Sequence, residues 1–503
     1  MGLKIKRDLS KGTKGSTYYL HIAMGLAIAA LFWFVLPAPA PITPVGMRVV
    51  GTFICMVYLW STVEILLPSL IGLVLIAISG VGGDAGFAGV ITGALGNETA
   101  LLILFSMVLF GAVDACGATN YIAKFILTRK MVSGRPFAFL TLFFICCWVL
   151  GFLVTPMFVI LLIWPMALRI TDILGITKED RLWKWFFVGT FVAAILGHPF
   201  LPFYDAPLIS VATFQSMMAA MDLASAYPYS YPAHILTVLA VSIIGIAVLL
   251  LATKVLRVDV SKMKAISPEM VKESMDLPPI SKVQITMLLM IPLYIIGVLA
   301  PSVVPDTAFG GFCSSIGALG VALLLCVISI FVRVGNKPML NFREVSYTHF
   351  DWGIYFMIAV AIYTATSFTS EDTGVSDWLL EALNPVLGGL PEMAFVAVIL
   401  TFALVVTSFA NNAAMGIVLS PIVIQFSLQL GISPIPVMIG VVSVVFAAML
   451  TPAASPHAGL LWSRTDIVTP KDIMSIGAPM SLVILISYIC IGYPLAKFLC
   501  GIF

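Results

Sequence analysis

The sequence predicts an all-α polytopic membrane protein with about eleven transmembrane helices and two re-entrant helical hairpins, built as two inverted-topology repeats. Three observations predict it. Hydrophobic residues fill 61% of the 503 positions and charged residues only 10%, a balance outside the range of soluble globular domains and suited to lipid as the main solvent. Apolar runs of roughly 20 residues, enough to cross hydrocarbon as an α-helix, follow one another with short connections. Two distant stretches also read as copies of each other.

The elements follow in order. A basic tail at 1–17 precedes a first transmembrane helix within 18–45, carrying Phe32, Trp33 and Phe34 and no small-residue cleavage site, so it reads as uncleaved. Further spans fall at about 46–62, 66–82, 91–115, 184–212, 231–256, 282–303, 310–333, 351–369, 435–462 and 475–498. Two apolar stretches, 137–172 and 393–429, are interrupted near the middle by Thr155-Pro156 and by Ala410-Asn411-Asn412. Each is two full crossings or one hairpin, and either returns the chain to the side it came from. Repeat 1 then covers 46–256 with an inward hairpin at 137–172, and repeat 2 covers 282–503 with an outward hairpin at 393–429, joined by a cytoplasmic linker at 257–281.

With the N-terminus inside, alternation through these spans places 24 of the 26 Lys and Arg on the cytoplasmic side and leaves only Arg48 and Lys497 outside. The longest acidic loop on the outer side, around 370–392, carries Glu371, Asp372, Asp377, Glu381 and Glu392. The positive-inside rule therefore orients the chain in a bacterial-type inner membrane with its C-terminus outside. The eight cysteines sit mostly in apolar segments without C-x-x-C spacing and read as inert buried thiols. No nucleophile-base arrangement, metal box or phosphate loop points to an enzyme, so no cofactor is expected, and the partners expected are a small anionic solute and the bilayer, not nucleic acid.

The internal repeat carries the functional reading. Residues 153–176 written over 409–432 align Pro165 with Pro421 and the closing Leu-Gly-Ile of each without a gap, and 192–207 is similar to 446–459. The first copy enters from the cytoplasm and the second from outside. Paired broken segments in inverted repeats are the sequence pointer to a secondary transporter and to its site. A broken helix leaves backbone groups that only protein or a water-filled cavity can satisfy. Half-helix N-termini suit an anion, and freed carbonyls with Asn, Ser or Thr oxygens suit Na⁺. Four breaks qualify: Thr155-Pro156, His198 to Pro207, Thr407 to Asn412, and Thr451 to His457.

At these residues the chain resembles a divergent member of the divalent anion:sodium symporter family of dicarboxylate, citrate and sulfate transporters. TVEILLPSLIGL at 62–73 is similar to that family's Thr-Glu-Ala-Ile-Pro-Leu-Pro stretch, and TNYIAKFILTRK at 119–130 fits the amphipathic helix before its first hairpin. The resemblance implies a homodimer and two Ser-Asn-Thr hairpin tips that bind sodium and substrate together with two Gly/Ala-Thr-Pro loops. Thr407, Asn411 and Asn412 stand where Ser, Ser and Asn are expected, and Ala413 replaces the threonine. Ala454, Ser455 and Pro456 hold the partner loop, followed by His457. The inward tip departs further: Gly151, Thr155, Pro156 and Met157 replace Ser, Ser, Asn and Thr, and its loop offers His198, Tyr204 and Asp205.

The substrate candidates are thus Thr155, Asn412, His198 and His457, and the cation candidates Thr407, Asn411, Asn412, Ala454, Ser455 and Asp205, with Na⁺ as coupling ion. Each has a plainer alternative. The asparagines would merely cap a half-helix, although an unpaired buried amide costs ~1–3 kcal/mol and so favours a ligand. Each histidine bonds a carbonyl or lines the substrate or proton path, and Asp205 lies at depth or at the outer mouth. The transport reading is uptake of a carboxylate or similar anion coupled to Na⁺ or H⁺. The alternatives are a cation/proton antiporter or metalloid efflux carrier of the same superfamily, and a channel, which would need a continuous polar pore.

Overall fold

The computed structural model describes residues 15–502 apart from 276, 335–336, 410–411 and 453. Ten of its helices are long and apolar enough to cross a membrane, or eleven if a bent pair counts as one span. The only strands among the described residues are the two-residue pair Arg333–Val334 and Lys337–Pro338. The chain forms two compact units, residues 1–96 with 352–379, and residues 97–351 with 380–503. In the first, Pro44–Thr62 and Leu66–Ile78 pack on each other and on Trp352–Phe368. Every candidate site residue belongs to the second.

Several boundaries differ from the sequence reading, each for a local reason. The span expected at 66–82 is the 13-residue helix Leu66–Ile78, stopped where Gly80 takes φ +96°, a conformation that costs glycine little. The span at 91–115 is two helices, Gly86–Leu95 and Glu98–Ala115, separated because the Asn97 side chain caps the second by accepting from Thr99 N at 2.9 Å. The acidic loop 370–392 contains the helix Val375–Leu387, and the linker 257–281 contains Pro268–Met275.

Prolines also shape the helices, which continue through Pro165 and Pro494 but stop at Val35 ahead of Pro37. Wide π-type turns at Leu31–Val35, Val159–Ile163 and Tyr488–Gly492 each finish two residues before a proline, Pro37, Pro165 and Pro494 respectively. At Pro165 and Pro494 the proline has no N–H for the carbonyl four residues back and its ring crowds that carbonyl, so the turn opens by one residue.

The second unit holds the broken elements. The inward stretch runs as Pro136–Leu153 and then from Pro156 to Ile173; the outward one as Glu392–Thr407 and Asn412–Gln429. The following spans are broken too, Arg181–Gly197 before Asp205–Ala220 and Pro434–Phe446 before Pro456–Ser463. Each first half packs on its own repeat, Arg181–Gly197 against Pro136–Leu153 and Pro434–Phe446 against both arms of the outward hairpin. The second halves cross over. Asp205–Ala220 lies on Asn412–Gln429, and Pro456–Ser463 lies on Pro156–Phe158.

Glycines permit the tightest approaches. A Cβ at Gly151 would overlap the Ala194 carbonyl oxygen, one at Gly197 the Trp148 carbonyl oxygen, and one at Gly416 the Ser210 hydroxyl. The long helical segment Pro470–Cys500 marks the two ends of this unit. Near its start Asp472 faces Lys184 at 3.9 Å, while near its end Lys497 pairs with Glu392. Segments expected on the cytoplasmic side meet one another, as where Lys262 Nζ reaches Asp180 Oδ2 at 2.7 Å and holds that carboxyl below its usual range.

Candidate functional site

The outward hairpin tip is a set of oxygens fixed by mutual hydrogen bonds. Thr407, the last residue of its helix, is fully buried and donates from Oγ1 to Asn412 Oδ1 at 2.8 Å. Asn412 begins the second arm, and its backbone N–H donates to the Ala454 carbonyl at 3.1 Å. Hairpin tip and unwound loop are therefore one piece. Ser455 Oγ accepts from Ala458 N at 3.1 Å and so caps Pro456–Ser463. Thr407 Oγ1, Asn412 Oδ1, the Ala454 carbonyl and Ser455 Oγ all retain lone pairs, a donor set of neutral oxygens that suits a small hard cation. Asn411, the remaining cation candidate, lies outside the described residues, and so does Ala453.

One donor in this tip is unspent. Asn412 is buried, and among the described residues its Nδ2 has no hydrogen-bond acceptor. A donor left unpaired in a buried position costs ~1–3 kcal/mol.

The inward break is built differently. Thr155 is extended, with φ −178°, and makes no side-chain cap to the helix that starts at Pro156. It reaches the rest of the site through Pro156–Phe158, which packs on Pro456–Ser463. Gly151 cannot be a serine on this backbone, because the position of the missing side chain is filled by the Ala194 carbonyl. The loop after Gly197 supplies the ionisable groups. His198 Nε2 and Asp205 Oδ2 are hydrogen-bonded at 3.0 Å, and the His198 ring meets that of His457 edge to face, 5.1 Å between centroids. Asp205 adopts φ +53°, uncommon outside glycine although Asp and Asn tolerate it. It opens Asp205–Ala220 at the break and retains 20% of its side-chain surface accessible.

The two histidines differ from a third that is purely structural. His234 has both ring nitrogens engaged, with the Pro199 carbonyl at 2.7 Å and the Tyr229 hydroxyl at 2.7 Å. His198 and His457 are also buried, yet His198 Nδ1 and His457 Nε2 have no partner among the described residues.

The structure thus joins Thr407, Asn412, Ala454 and Ser455 in one cluster and His198, Asp205 and His457 in another, with His457 two residues from Ser455. Sequence reasoning named Tyr204 in the inward loop but gave it no role; the Tyr204 ring stacks on Phe110 at 3.9 Å and its hydroxyl donates to the Val154 carbonyl at 3.3 Å. Sequence reasoning passed over Ser210 and Thr213, buried with unpartnered hydroxyls on the helix that packs on Asn412–Gln429. Their i, i+3 spacing immediately after a break was the available signal.

Comparison with known proteins places this arrangement. The family described as the sodium:sulfate symporter transmembrane region matches residues 16–502. The L-tartrate/succinate antiporter of Escherichia coli strain K12 is 28% identical over 191 residues, 37% of this chain and 35% of that protein. Na(+)/dicarboxylate cotransporter 3 of Rattus norvegicus is 28% identical over 148 residues, 29% of this chain and 24% of that protein. The chain therefore spans about a quarter to a third of the length of the curated relatives it matches. The crystal structure of the Alcanivorax borkumensis YdaH transporter, described as having an unusual topology, shares the fold at a TM-score of 0.55 and 13% identity, covering 97% of this chain and 98% of that one.

Proposed function

The chain belongs to the sodium:sulfate symporter family of membrane transporters, and from that premise we propose that it carries a small carboxylate anion by alternating access, with Na⁺ as the coupled ion. The observation that carries the reading is the outward tip, where Asn412 offers one buried donor without a partner among the described residues beside the neutral oxygens of Thr407 and Ala454. The donor, with the freed N–H groups of the half-helices that begin at the breaks, suits an anion in place of arginine. The oxygens suit the cation, so substrate and coupled ion meet at one hairpin tip. The names of the relatives, a dicarboxylate cotransporter and a tartrate/succinate antiporter, make succinate the first probe.

Purified protein in proteoliposomes should accumulate radiolabelled succinate when an inward Na⁺ gradient is imposed, and not under an equal K⁺ gradient. Exchange of external for internal succinate that ignores Na⁺ would replace coupled uptake with antiport. No transport of dicarboxylates, tricarboxylates, monocarboxylates or sulfate under either gradient would remove the proposal.

The orientation rests on charge. The ends defined by Asp472 and by Lys497 are assigned to the cytoplasm and the exterior, because nearly all Lys and Arg lie in segments of the first kind. In a Cys490→Ser background, which removes the exposed native thiol, Lys264→Cys should react with an impermeant maleimide only in inverted vesicles and Gly389→Cys only in intact cells. Labelling of both from one side would break the inverted-repeat topology.

A further inference from the structure

Away from the transport site, three segments converge at the base of the inward hairpin. They are the amphipathic helix Thr119–Leu127 with the turn that follows it, the end of Tyr231–Val255, and the first part of the linker. Gly134 N donates to the Ile266 carbonyl at 3.3 Å, which fixes the turn against the linker. The Lys254 ammonium sits over the Phe137 ring at 4.8 Å, which fixes the span end against the hairpin's first turn. The convergence gathers six exposed basic residues, Arg129, Lys130, Arg135, Lys254, Arg257 and Lys264. None of them has an ion-pair partner among the described residues. Other basic residues nearby are already committed: Lys262 to Asp180, Lys124 to the Leu277 carbonyl at 3.3 Å, and Arg169 to the Ser274 carbonyl at 3.1 Å.

Apolar side chains are interleaved with the six charges. Phe125 is 66% exposed, Met131 56%, Val255 68% and Leu256 51%, and the Arg129 guanidinium lies 3.4 Å above the Phe125 ring. A water-facing loop has no reason to present such side chains beside its charges. A segment lying in the bilayer interface does, because its apolar groups enter the acyl boundary while Lys and Arg reach the phosphate layer. The linker carries three acidic residues against these six charges: Asp259, which accepts from Ser261 N at 2.8 Å, and Glu269 and Glu273 on the helix Pro268–Met275, which packs on Thr119–Leu127. None of the three forms an ion pair with the six basic residues among the described residues, and the basic charges outnumber them two to one.

We infer that this basic collar binds the headgroups of anionic phospholipids and anchors the base of the inward hairpin to the membrane surface. A cluster of this size immediately beside transmembrane helix ends is what attracts anionic lipid. Pro136 starts the hairpin one residue after Arg135, so lipid held at the collar restrains the hairpin where it leaves the membrane. The inference is independent of which solute the protein carries.

Native mass spectrometry of the purified full chain tests it, with phosphatidylglycerol and phosphatidylcholine of matched acyl chains as probes. The wild type should retain phosphatidylglycerol at least about tenfold more than phosphatidylcholine. The triple variant Arg129→Gln, Lys130→Gln, Arg135→Gln and, separately, the pair Lys254→Gln, Arg257→Gln should each lose that preference. The pair Lys178→Gln, Lys471→Gln, basic positions outside the collar, should keep it. Raising NaCl from about 0.15 to 1 M should weaken retention, because the charges are exposed. Equal retention of the two lipids by the wild type would overturn the inference, and so would unchanged preference in both collar variants. Displacement of the lipid by millimolar inorganic phosphate would also overturn it, since the collar would then be a plain anion site.

Discussion

Replacing Asn412 with alanine is expected to lower succinate uptake at least tenfold in a variant that still reaches the membrane. The change removes Oδ1, which receives the Thr407 hydroxyl at 2.8 Å, and Nδ2, the buried donor without a partner. Losing a hydrogen bond to a charged group costs roughly 1.5–3 kcal/mol, and about 1.4 kcal/mol is a factor of ten in affinity. Asn412→Asp separates the two roles. It keeps an oxygen for Thr407 and for a cation but exchanges the donor for a negative charge. If Nδ2 meets the anion, Asp fails as badly as Ala; if the side chain serves only the cation, Asp transports better than Ala. Normal uptake by Asn412→Ala would take the residue out of the site.

The second large effect is on stability, and it runs against what family resemblance alone would suggest. The resemblance puts serine at position 151, so Gly151→Ser looks like a repair of the inward cation site. On this backbone a Cβ at 151 would overlap the Ala194 carbonyl oxygen, and backbone cannot move aside as a side-chain tip can. Overpacking costs typically about 1–3 kcal/mol, so Gly151→Ser and Gly197→Ala should both unfold at lower temperature in detergent than the wild type. Gly311→Ala is the control, a helical glycine with nothing within 4 Å of the added carbon, and should be neutral or slightly stabilising. Wild-type melting of Gly151→Ser would show that the inward arm can separate from Arg181–Gly197. It would also reopen the possibility of a second cation at that tip.

The positions of the four breaks were legible because the residues that cause them are local. Pro156 cannot donate into a preceding turn, and the consecutive polar groups at 411–412 interrupt an otherwise apolar helix. The repeat then pointed by alignment to His198 to Pro207 and Thr451 to His457, and the α-helices there stop at Gly197 and Phe446 and resume at Asp205 and Pro456. Composition gave the fold class for a similar reason, since solvent preference is a sum over residues. The length of Leu66–Ile78 was less legible, because hydropathy continues to residue 82 while the backbone turns at Gly80. The contacts inside the site were not legible at all. That His198 would meet Asp205, seven residues on, and also His457 from the other repeat depends on two spans unwinding at the same depth. Nothing in either segment encodes that. The same holds for Gly151, which reads as a missing hydroxyl until the Ala194 carbonyl is seen in its place.

The crossed packing of the second half-helices has a consequence for how the protein is made. Asp205–Ala220 lies on Asn412–Gln429, a partner that leaves the ribosome roughly two hundred residues later. At about 5–20 residues per second this is on the order of ten seconds or more. During that interval the first repeat is in the membrane with an unwound segment and a glycine-fitted surface that nothing yet covers. Its open backbone groups cannot be left in hydrocarbon, so the nascent chain must keep them in water or against the insertion machinery until the outward hairpin arrives. A chain cut after residue 351 would never be released from that state, and membrane proteases should clear it faster than a chain truncated at its last few residues.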